Sequence, residues 1–481
     1  MSTFGALLGN RARHISASAP AAWKDHVAGD AVFHHSPRAA PPGADQPCAT
    51  RGSSTADGVS MEFQRSTSFA RSLDKKDPMR KFRSEFHLPG KGNNKYIYLC
   101  GNSLGLQPKT VKKFMLEELS DWASQGVEGH FHSKRPWLYY HKFFKKALAK
   151  ITGAKPDEVV AMNQLTVNLH LMLTSFYRPT KERFKIITEA GAFSSDQYAF
   201  ESQIKLHGLD PAQCLVELEP RAGEYFLRTE DILSAIRNNT SSLSLVIFGG
   251  VQYYSGQFFD FKTISNAAHN AGAYAGFDLA HAIGNVPLNL HADGVDFAVW
   301  CGYKYLNSGP GGMAGAFIHE RHATSGLPRL AGWWGHDEKE RFQMKKGFIP
   351  MPGADGWQIS NFPVFSGAAH LASLEIFERA TMKALRKKSL SLTGYLEFLL
   401  NGIEQHDSHF VIITPSNPDE RGCQLSILMK KDGKKVFQKL EKAGVIPDWR
   451  EPDVIRVAPV PLYNTFEEVL QFAEIFRKSL S

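Results

Sequence analysis

Cysteine is scarce in this chain. Five are spread over 481 residues, at Cys48, Cys100, Cys214, Cys301 and Cys423, an odd number without a CxxC pair. That pattern fits a reducing compartment better than a disulfide framework, so a cytoplasmic protein is expected. Long apolar runs are missing too: none approaches the roughly 20 residues a membrane helix needs, and no membrane partner is expected. There is no internal repeat, no zinc-finger spacing and no basic patch interleaved with aromatics. The formal net charge of +8 raises the question of nucleic acid. Half of that surplus sits in residues 1–90, which hold 12 Lys/Arg against 8 Asp/Glu. Basic runs such as Lys145-Lys146 and Arg386-Lys387-Lys388 fall on helical patterns as solvated faces, so neither nucleic acid nor a metal is called for.

What is present is a large globular chain. With 43% hydrophobic residues it can bury a sizeable core, and its length allows two to three domains. Residues 1–60, rich in Ala, Ser, Pro, Gly and Arg without an apolar period, read as a disordered extension. Asp25, Asp30, Asp45 and Asp57 set them apart from a mitochondrial presequence, and no continuous apolar stretch marks a secretory signal. A helical pattern near 68–86 (Phe69, Leu73, Phe82, Phe86) predicts an N-terminal arm, placed at 61–95. From 96 to 350 short apolar runs alternate with amphipathic stretches. Strands are predicted at Val159–Met162, Phe184–Thr188, Leu243–Phe248, Ala273–Phe277, Phe297–Trp300 and Gly315–Ile318, with helices at 166–177 and 228–238 between them. This alternation predicts an α/β domain built on a doubly wound, mostly parallel sheet. Beyond Pro350-Met351-Pro352-Gly353 the order changes. A helical pair (365–404), strands at 409–413, 423–429 and 453–457, a helix at 433–443 and a final helix predict a smaller α+β domain at 351–481.

The most informative segment is Phe277-Asp278-Leu279-Ala280-His281, followed by Asp296 to Lys304. It reads as a buried strand ending in an acid, a helical return, and a second buried strand ending in a lysine. Asp278 and Lys304 are 26 residues apart, one αβ unit, so both reach the rim where open α/β sheets bind ligands. A carboxylate and an amine so placed suit pyridoxal phosphate: the lysine forms a Schiff base with the aldehyde, and the acid keeps the pyridine nitrogen protonated. Gly309-Pro310-Gly311-Gly312 then reverses the chain beneath the rim. Three more strand ends add to this. At Asn163-Gln164-Leu165-Thr166-Val167-Asn168 a strand feeds directly into a helix, whose unpaired N–H groups suit a phosphate; Thr166 serves equally as an N-cap. In Ala190-Gly191-Ala192-Phe193-Ser194-Ser195-Asp196, Phe193 is either core or a ring stacked on a flat cofactor, and Asp196 either a cap or an orienting acid. In Gly249-Gly250-Val251-Gln252-Tyr253-Tyr254-Ser255-Gly256 small residues admit a ligand, and Tyr254 could donate to a phosphate oxygen.

Together these residues resemble the kynureninase family, pyridoxal-phosphate enzymes of fold type I in the class V aminotransferase group. The resemblance runs from about residue 68 to 475. It rests on YLCGNSLGLQPK (98–109), FDLAHAIGNV (277–286), YKYLNSGPGGMAGAFIHE (303–320), GWWGH (332–336) and IRVAPVPLYN (455–464). It implies hydrolysis of L-kynurenine, and of its 3-hydroxy form, to L-alanine and anthranilate or 3-hydroxyanthranilate, in tryptophan catabolism and NAD biosynthesis. It makes Lys304 the Schiff-base lysine and acid/base, and Asp278 the partner of the ring nitrogen, with His281 beside it. Phe193 would stack on the ring and Asp196 touch its polar edge, with Ser194 and Ser195 in the same loop. Leu165 and Thr166 would cradle the phosphate, helped by Tyr254 and Tyr303. Trp333 and Asn361 are further cofactor contacts, Trp333 from a neighbouring subunit, which implies a homodimer with sites at the interface. Ser103, His130, Asn361 and Arg456 would hold the substrate, Arg456 by its carboxylate. Two positions depart from the family: Gly249 stands where serine is common, and Ser194 where proline is usual. The rival readings are another class V activity, desulfuration or transamination, and a binding protein without catalysis. A desulfurase needs a mobile nucleophilic cysteine and a histidine before the lysine, where this chain has Tyr303.

Overall fold

Residues alternating between two apolar faces make the centre of the molecule. In the computed structural model, which describes residues 62–92 and 94–480, seven strands form one sheet. They are β1 (Val159–Ala161), β2 (Lys185–Glu189), β3 (Leu215–Leu218), β4 (Leu243–Gly249), β5 (Tyr274–Asp278), β6 (Phe297–Trp300) and β7 (Gly315–Ile318), in the order β1-β7-β6-β5-β4-β2-β3. Strands β3, β2, β4, β5 and β6 run parallel, and only β7 is antiparallel to its neighbours β6 and β1. Period-two burial divides the side chains cleanly. Ile187, Val246, Phe248, Phe277, Ala298, Trp300 and Phe317 enter one core, while Ile186, Leu245, Ile247, Phe297, Val299, Ala316 and Ile318 enter a core on the opposite face.

The mostly parallel doubly wound sheet is therefore as expected, and six of its strands lie within a residue or so of the predicted runs. Strand β3 was not foreseen; its residues are half-buried at the sheet edge, so it lacks the continuous apolar signal of the inner strands. One expectation is overturned. The return from β5 to β6 is not a helix but a chain of tight turns, with Ala282 and Ile283 N–H donating to Leu279 O and Val286 N–H to Ala282 O. Gly284, at φ +74°, and Pro287 prevent these turns from propagating.

The C-terminal part carries a second, antiparallel sheet of β8 (Phe410–Ile412), β9 (Leu425–Met429), β10 (Asp448–Arg450) and β11 (Val454–Val457), ordered β8-β9-β11-β10. Strand β10 was not predicted. The long helical pair is present as α4 (Val364–Ala380) and α5 (Met382–Asn401), broken at Thr381, whose φ is +63°. Helix α4 gives Leu374 and Phe377 to the core of the large sheet, whereas α5 packs Leu392, Leu396 and Leu400 on the small one, with the final helix α6 (Phe466–Ser479). Among the described residues no helix is long and apolar enough to cross a membrane. The expectation for residues 1–60 lies outside the described residues.

The helical pattern near 68–86 forms α0, the N-terminal helix Thr67–Lys76, and a 3-10 segment Arg80–Glu85. The first caps α6: Asp74 accepts from the N–H groups of Phe466 (2.8 Å) and Glu467 (3.0 Å), which satisfies two of the helix's orphan donors. Next to it, Asp77 pairs with Lys388 of α5 at 2.8 Å, both side chains 5% exposed. Removing one partner of so buried a pair strands the other charge, a loss of about 3–5 kcal/mol. Lys388→Met is thus expected to lose that much in urea unfolding, and the double variant with Asp77→Leu to recover most of it.

Candidate active site

Four strands end and one helix begins at a common rim. β2 delivers Glu189, β4 Gly249 and β5 Asp278, while Lys304 follows β6 after Cys301-Gly302-Tyr303. The pairing Phe277–Ala298 and Asp278–Val299 fixes β5 beside β6, and Leu279 N–H donates to Val299 O at 2.7 Å just past the strand end. Asp278 and Lys304 thus open into one cleft of about 500 Å³, part of it open to solvent. Leu165, Thr166, Phe193, Ser195, Asp196, Gly249, His281 and Tyr303 line it, as the sequence suggested.

The helix α2 (Leu165–Phe176) opens on this cleft. Its N-cap is Gln164, without a side-chain cap, so Thr166 is not the cap but lies in the first turn. Asn163, at φ +51°, makes the turn out of β1 and donates to Asn168 Oδ1 at 2.9 Å, while Asn168 Nδ2 donates to Met162 O at 2.9 Å. The N–H groups of Leu165, Thr166 and Val167 have no acceptor within the helix, a ready site for an anion. Across the cleft Phe193 is 41% exposed, its ring edge-on to Tyr253 at 5.2 Å and 5.8 Å from the Lys304 amine. The ring thus faces the cleft on the side of the Lys304 amine.

The charges are unevenly shared. Asp278 is buried and accepts from Ala280 N–H at 2.6 Å; burial pushes its carboxyl up, while a hydrogen bond from Asp196 and the nearby Lys304 pull it down. Asp196, buried against Asp278, is pushed far above the usual carboxylate range by burial and then by that negative neighbour, so it is the one that keeps a proton. His281 lies 3.0 Å from Lys304, Nε2 to Nζ. Burial first, then the positive charges of Lys304, Arg456 and Arg450, holds it neutral, and its Nδ1 is buried without a partner. The arrangement can hold a cationic heteroaromatic ring nitrogen at Asp278, bind a phosphate at α2, and present to an aldehyde an amine aimed by a neutral imidazole.

Beside the cleft, Arg456 of β11 is fully buried, and burial lowers it to about 10, which leaves it cationic at neutral pH. It sits opposite Asp448 across the β10–β11 pair and forms an ion pair with it, donates to Tyr253 O at 2.6 Å and reaches Ser103 Oγ at 3.4 Å. Its Nε is buried and unpartnered. The other sequence candidates stand outside the cleft of the single chain. Ser194 begins the helix Ser194–Leu206, and Tyr254 turns away from the lining, which is formed by Tyr253 instead. His130 Nδ1–H donates to Val127 O (3.0 Å), and the ring packs edge-on to Trp137. Trp333 is 40% exposed, its indole N–H donating to Arg341 O, and Asn361 is exposed. Sequence reading missed Glu189, Val251, Tyr253 and Ala280, all in the lining. It also missed Gly105, whose N–H donates to Tyr303 O at 2.8 Å; its place in the GNSLG run was the available signal.

A separate cluster sits at the amino ends of the strands. Glu158, His291 and His319 are near enough to ligate an ion. Glu158, however, already accepts from His291 (2.8 Å) and from the Lys155 and Glu320 N–H groups, and the imidazoles stack with centroids 4.8 Å apart, which joins the start of β1 to the end of β7.

Residues 385–476 match the family model for the kynureninase C-terminal domain. A kynureninase from Flavobacterium psychrophilum is 52% identical over 422 residues, 87% of this chain and 99% of that protein. One from Myxococcus xanthus is 54% identical over 415 residues, 86% of this chain and 97% of the relative. Among solved structures, a cysteine desulfurase from Thermococcus onnurineus superposes with a TM-score of 0.67 at 18% identity, covering 80% of this chain and 94% of the other. The C-DES protein with glycine covalently linked to its PLP cofactor gives 0.69 at 17% identity, covering 82% and 98%. These likenesses establish the fold, that of the fold-type I enzymes.

The close approach at Gly105 yields an expectation. A Cβ there would lie 2.2 Å from Lys304 O and 2.9 Å from Asn307 Cα, both backbone. Gly105→Ala must push the lysine turn aside, at about 1–3 kcal/mol. Its melting temperature should fall by several degrees, and a crystal structure should show Lys304 displaced from His281.

Proposed function

Because the chain belongs to the kynureninase family, we propose that its strand-end cleft binds pyridoxal phosphate and hydrolyses L-kynurenine, or 3-hydroxy-L-kynurenine, to L-alanine and the corresponding anthranilate. The observation that carries this is the facing pair Asp278 and Lys304 on adjacent parallel strands, with the bare N-terminus of α2 at the same rim. The donors fit the cofactor: an amine for its aldehyde, a carboxylate for its ring nitrogen, the Phe193 ring for its ring, unpaired N–H groups for its phosphate. When bound, the cofactor supplies an electron sink for the charge left on the amino acid.

The chain's own groups do the rest. Lys304 holds the cofactor and, once the amino acid takes its place, has its amine free to remove the α-proton. His281, held neutral and 3.0 Å away, accepts a hydrogen bond from that amine and so aims it. Asp278 balances a positive ring nitrogen, and protonated Asp196 donates toward it; Ser195 keeps Asp196 in place, its hydroxyl donating to Asp196 Oδ1 at 3.3 Å. Leu165 and Thr166 hold the phosphate by their N–H groups, with Tyr303 as a further donor from the lining. Gly249 gives the cofactor no side chain where the family commonly has serine, and Ser194 lacks the rigidity of the usual proline. Arg456, with its unpartnered Nε, takes the α-carboxylate beside Ser103. Water adds to the γ-carbonyl and the Cβ–Cγ bond breaks; His130 and Asn361 recognise the aromatic ring that leaves.

Desulfuration is the weaker reading. Of the cysteines among the described residues, Cys214, Cys301 and Cys423 are buried and Cys100 is partly so, its thiol raised by burial, so none is a mobile nucleophile. Their free state supports a cytoplasmic role, in tryptophan catabolism toward NAD. The proposal extends to a division into an arm (61–95), a cofactor domain (96–350) and a small domain (351–481), supported by the two separate sheets, although Leu374 and Phe377 of the last pack into the core of the large one.

A homodimer is part of the same proposal. Large apolar side chains stand exposed on one chain, among them Trp122 (58%), Phe131 (50%), Phe342 (54%) and Met344 (71%). His130, Asn361 and Trp333 stay outside the cleft of that chain, as residues completed by a second copy would. Sedimentation should give twice the chain mass, and Trp333→Ala should weaken cofactor affinity while leaving each chain folded by circular dichroism.

For the chemistry, purified protein given kynurenine should release fluorescent anthranilate and alanine in equal amounts. Lys304→Ala should lose this activity by several powers of ten and bind the cofactor without the visible band of a lysine adduct. Turnover at the wild-type rate in that variant would overturn the assignment.

A further inference from the structure

We propose that Glu189 is a positioning residue of the cofactor cleft, which sets the negative charge facing the cofactor's ring nitrogen through Asp278. This rests on the pyridoxal-phosphate reading of the cleft but is not contained in it. Glu189 ends β2, is 4% exposed and lines the cleft beside Asp278 and Asp196. Three carboxyls are thus buried together at the end of a sheet, with Lys304 as the one amine in the lining.

Glu189 is held, but not by a cation. Gly249 N–H donates to both of its oxygens, at 3.0 and 3.3 Å, and the Thr188 hydroxyl donates to Oε2 at 3.3 Å. The charged and titratable groups facing it from the packed elements are Asp278 on β5, Asp196 on the helix after β2, and Tyr253 in the loop after β4. None of these favours its ionisation. Burial first, then repulsion from Asp278 against the hydrogen bonds, raises its carboxyl to about 7. Asp196 is pushed far up and keeps its proton, and Glu189, raised to about 7, is placed to change charge near neutrality. Gly249 is what admits it: a Cβ at 249 would lie 3.0 Å from Glu189 Oε1, and a serine's added hydroxyl would compete for the same space.

When Glu189 ionises, a second negative charge stands beside Asp278. That charge strengthens proton binding at a ring nitrogen or at Lys304 and weakens cleft stability when the cofactor is absent. The sign follows from linkage. A carboxyl raised in the folded state contributes stability below its unfolded range, near 4.3, and loses it as pH rises through the folded value near 7.

Two variants separate charge from structure. Glu189→Gln keeps an acceptor for Gly249 N–H and cannot ionise; Glu189→Ala removes both. In cofactor-free protein, the melting temperature of Glu189→Gln relative to wild type should rise by several degrees between pH 5 and pH 8, whereas Glu189→Ala should start lower at pH 5. With pyridoxal phosphate bound, the pH midpoint of the visible absorbance should fall by about one unit in Glu189→Gln. Parallel melting curves and an unchanged midpoint would overturn the proposal. If wild-type protein bound no pyridoxal phosphate, the reading of the cleft would fail instead, and the cofactor-free melting series would still decide Glu189.

Discussion

The site depends on one backbone fact, the parallel pairing of β5 with β6. Hydrogen bonds between these strands put Asp278 level with Val299, so a lysine five residues further on returns over the same rim. Every other contribution is referred to this pair. α2 offers its N–H groups to the rim because β1 is tied to β6 through β7, and Phe193 reaches across it because β2 lies two strands away from β5. A slip of one residue between β5 and β6 would send Phe277 to the opposite face of the sheet and carry Asp278 out of the cleft.

That rim gathers more negative charge than it can balance. Asp278, Asp196 and Glu189 share one buried space with Lys304, and burial alone raises all three carboxyls. The cost is tolerable because protons and backbone N–H groups stand in for cations: Asp196 keeps its proton, Ala280 N–H caps Asp278, and Gly249 N–H caps Glu189. The unliganded cleft is therefore poised for a positively charged ring. Arg456 repeats the theme beside it, with Asp448 neutralising a buried guanidinium that keeps one N–H unused.

The small sheet and the N-terminal helix serve as a frame. Asp74 caps α6, Asp77 holds Lys388, and α6 packs behind the strand that carries Arg456. The distant N-terminal segment thus supports the carboxylate-binding side through packing and caps alone.

Much of this was legible in the order of residues. Period-two apolar runs located six of the seven large-sheet strands, because inner parallel strands are buried on both faces and carry an unbroken signal. Asp278, Lys304, Thr166 and Phe193 could be placed at a rim because each follows such a run directly. Edge strand β3 and short β10 were invisible for the converse reason, being half-buried. The turns between β5 and β6 passed for a helix because Leu279, Ile283 and Val286 have helical spacing, which Gly284 and Pro287 override. Position along a strand cannot say which of two adjacent tyrosines meets the cleft, and only the bend after β4 turns Tyr253 inward. Nor does it tell that Glu189 shares space with Asp278, that Gly105 touches Lys304, or that Arg456 faces Asp448. Those are contacts between residues 89, 199 and 8 positions apart, decided by how sheets stack and turns close; the chain order carries the chemistry, and the packing decides which groups share one low-dielectric space.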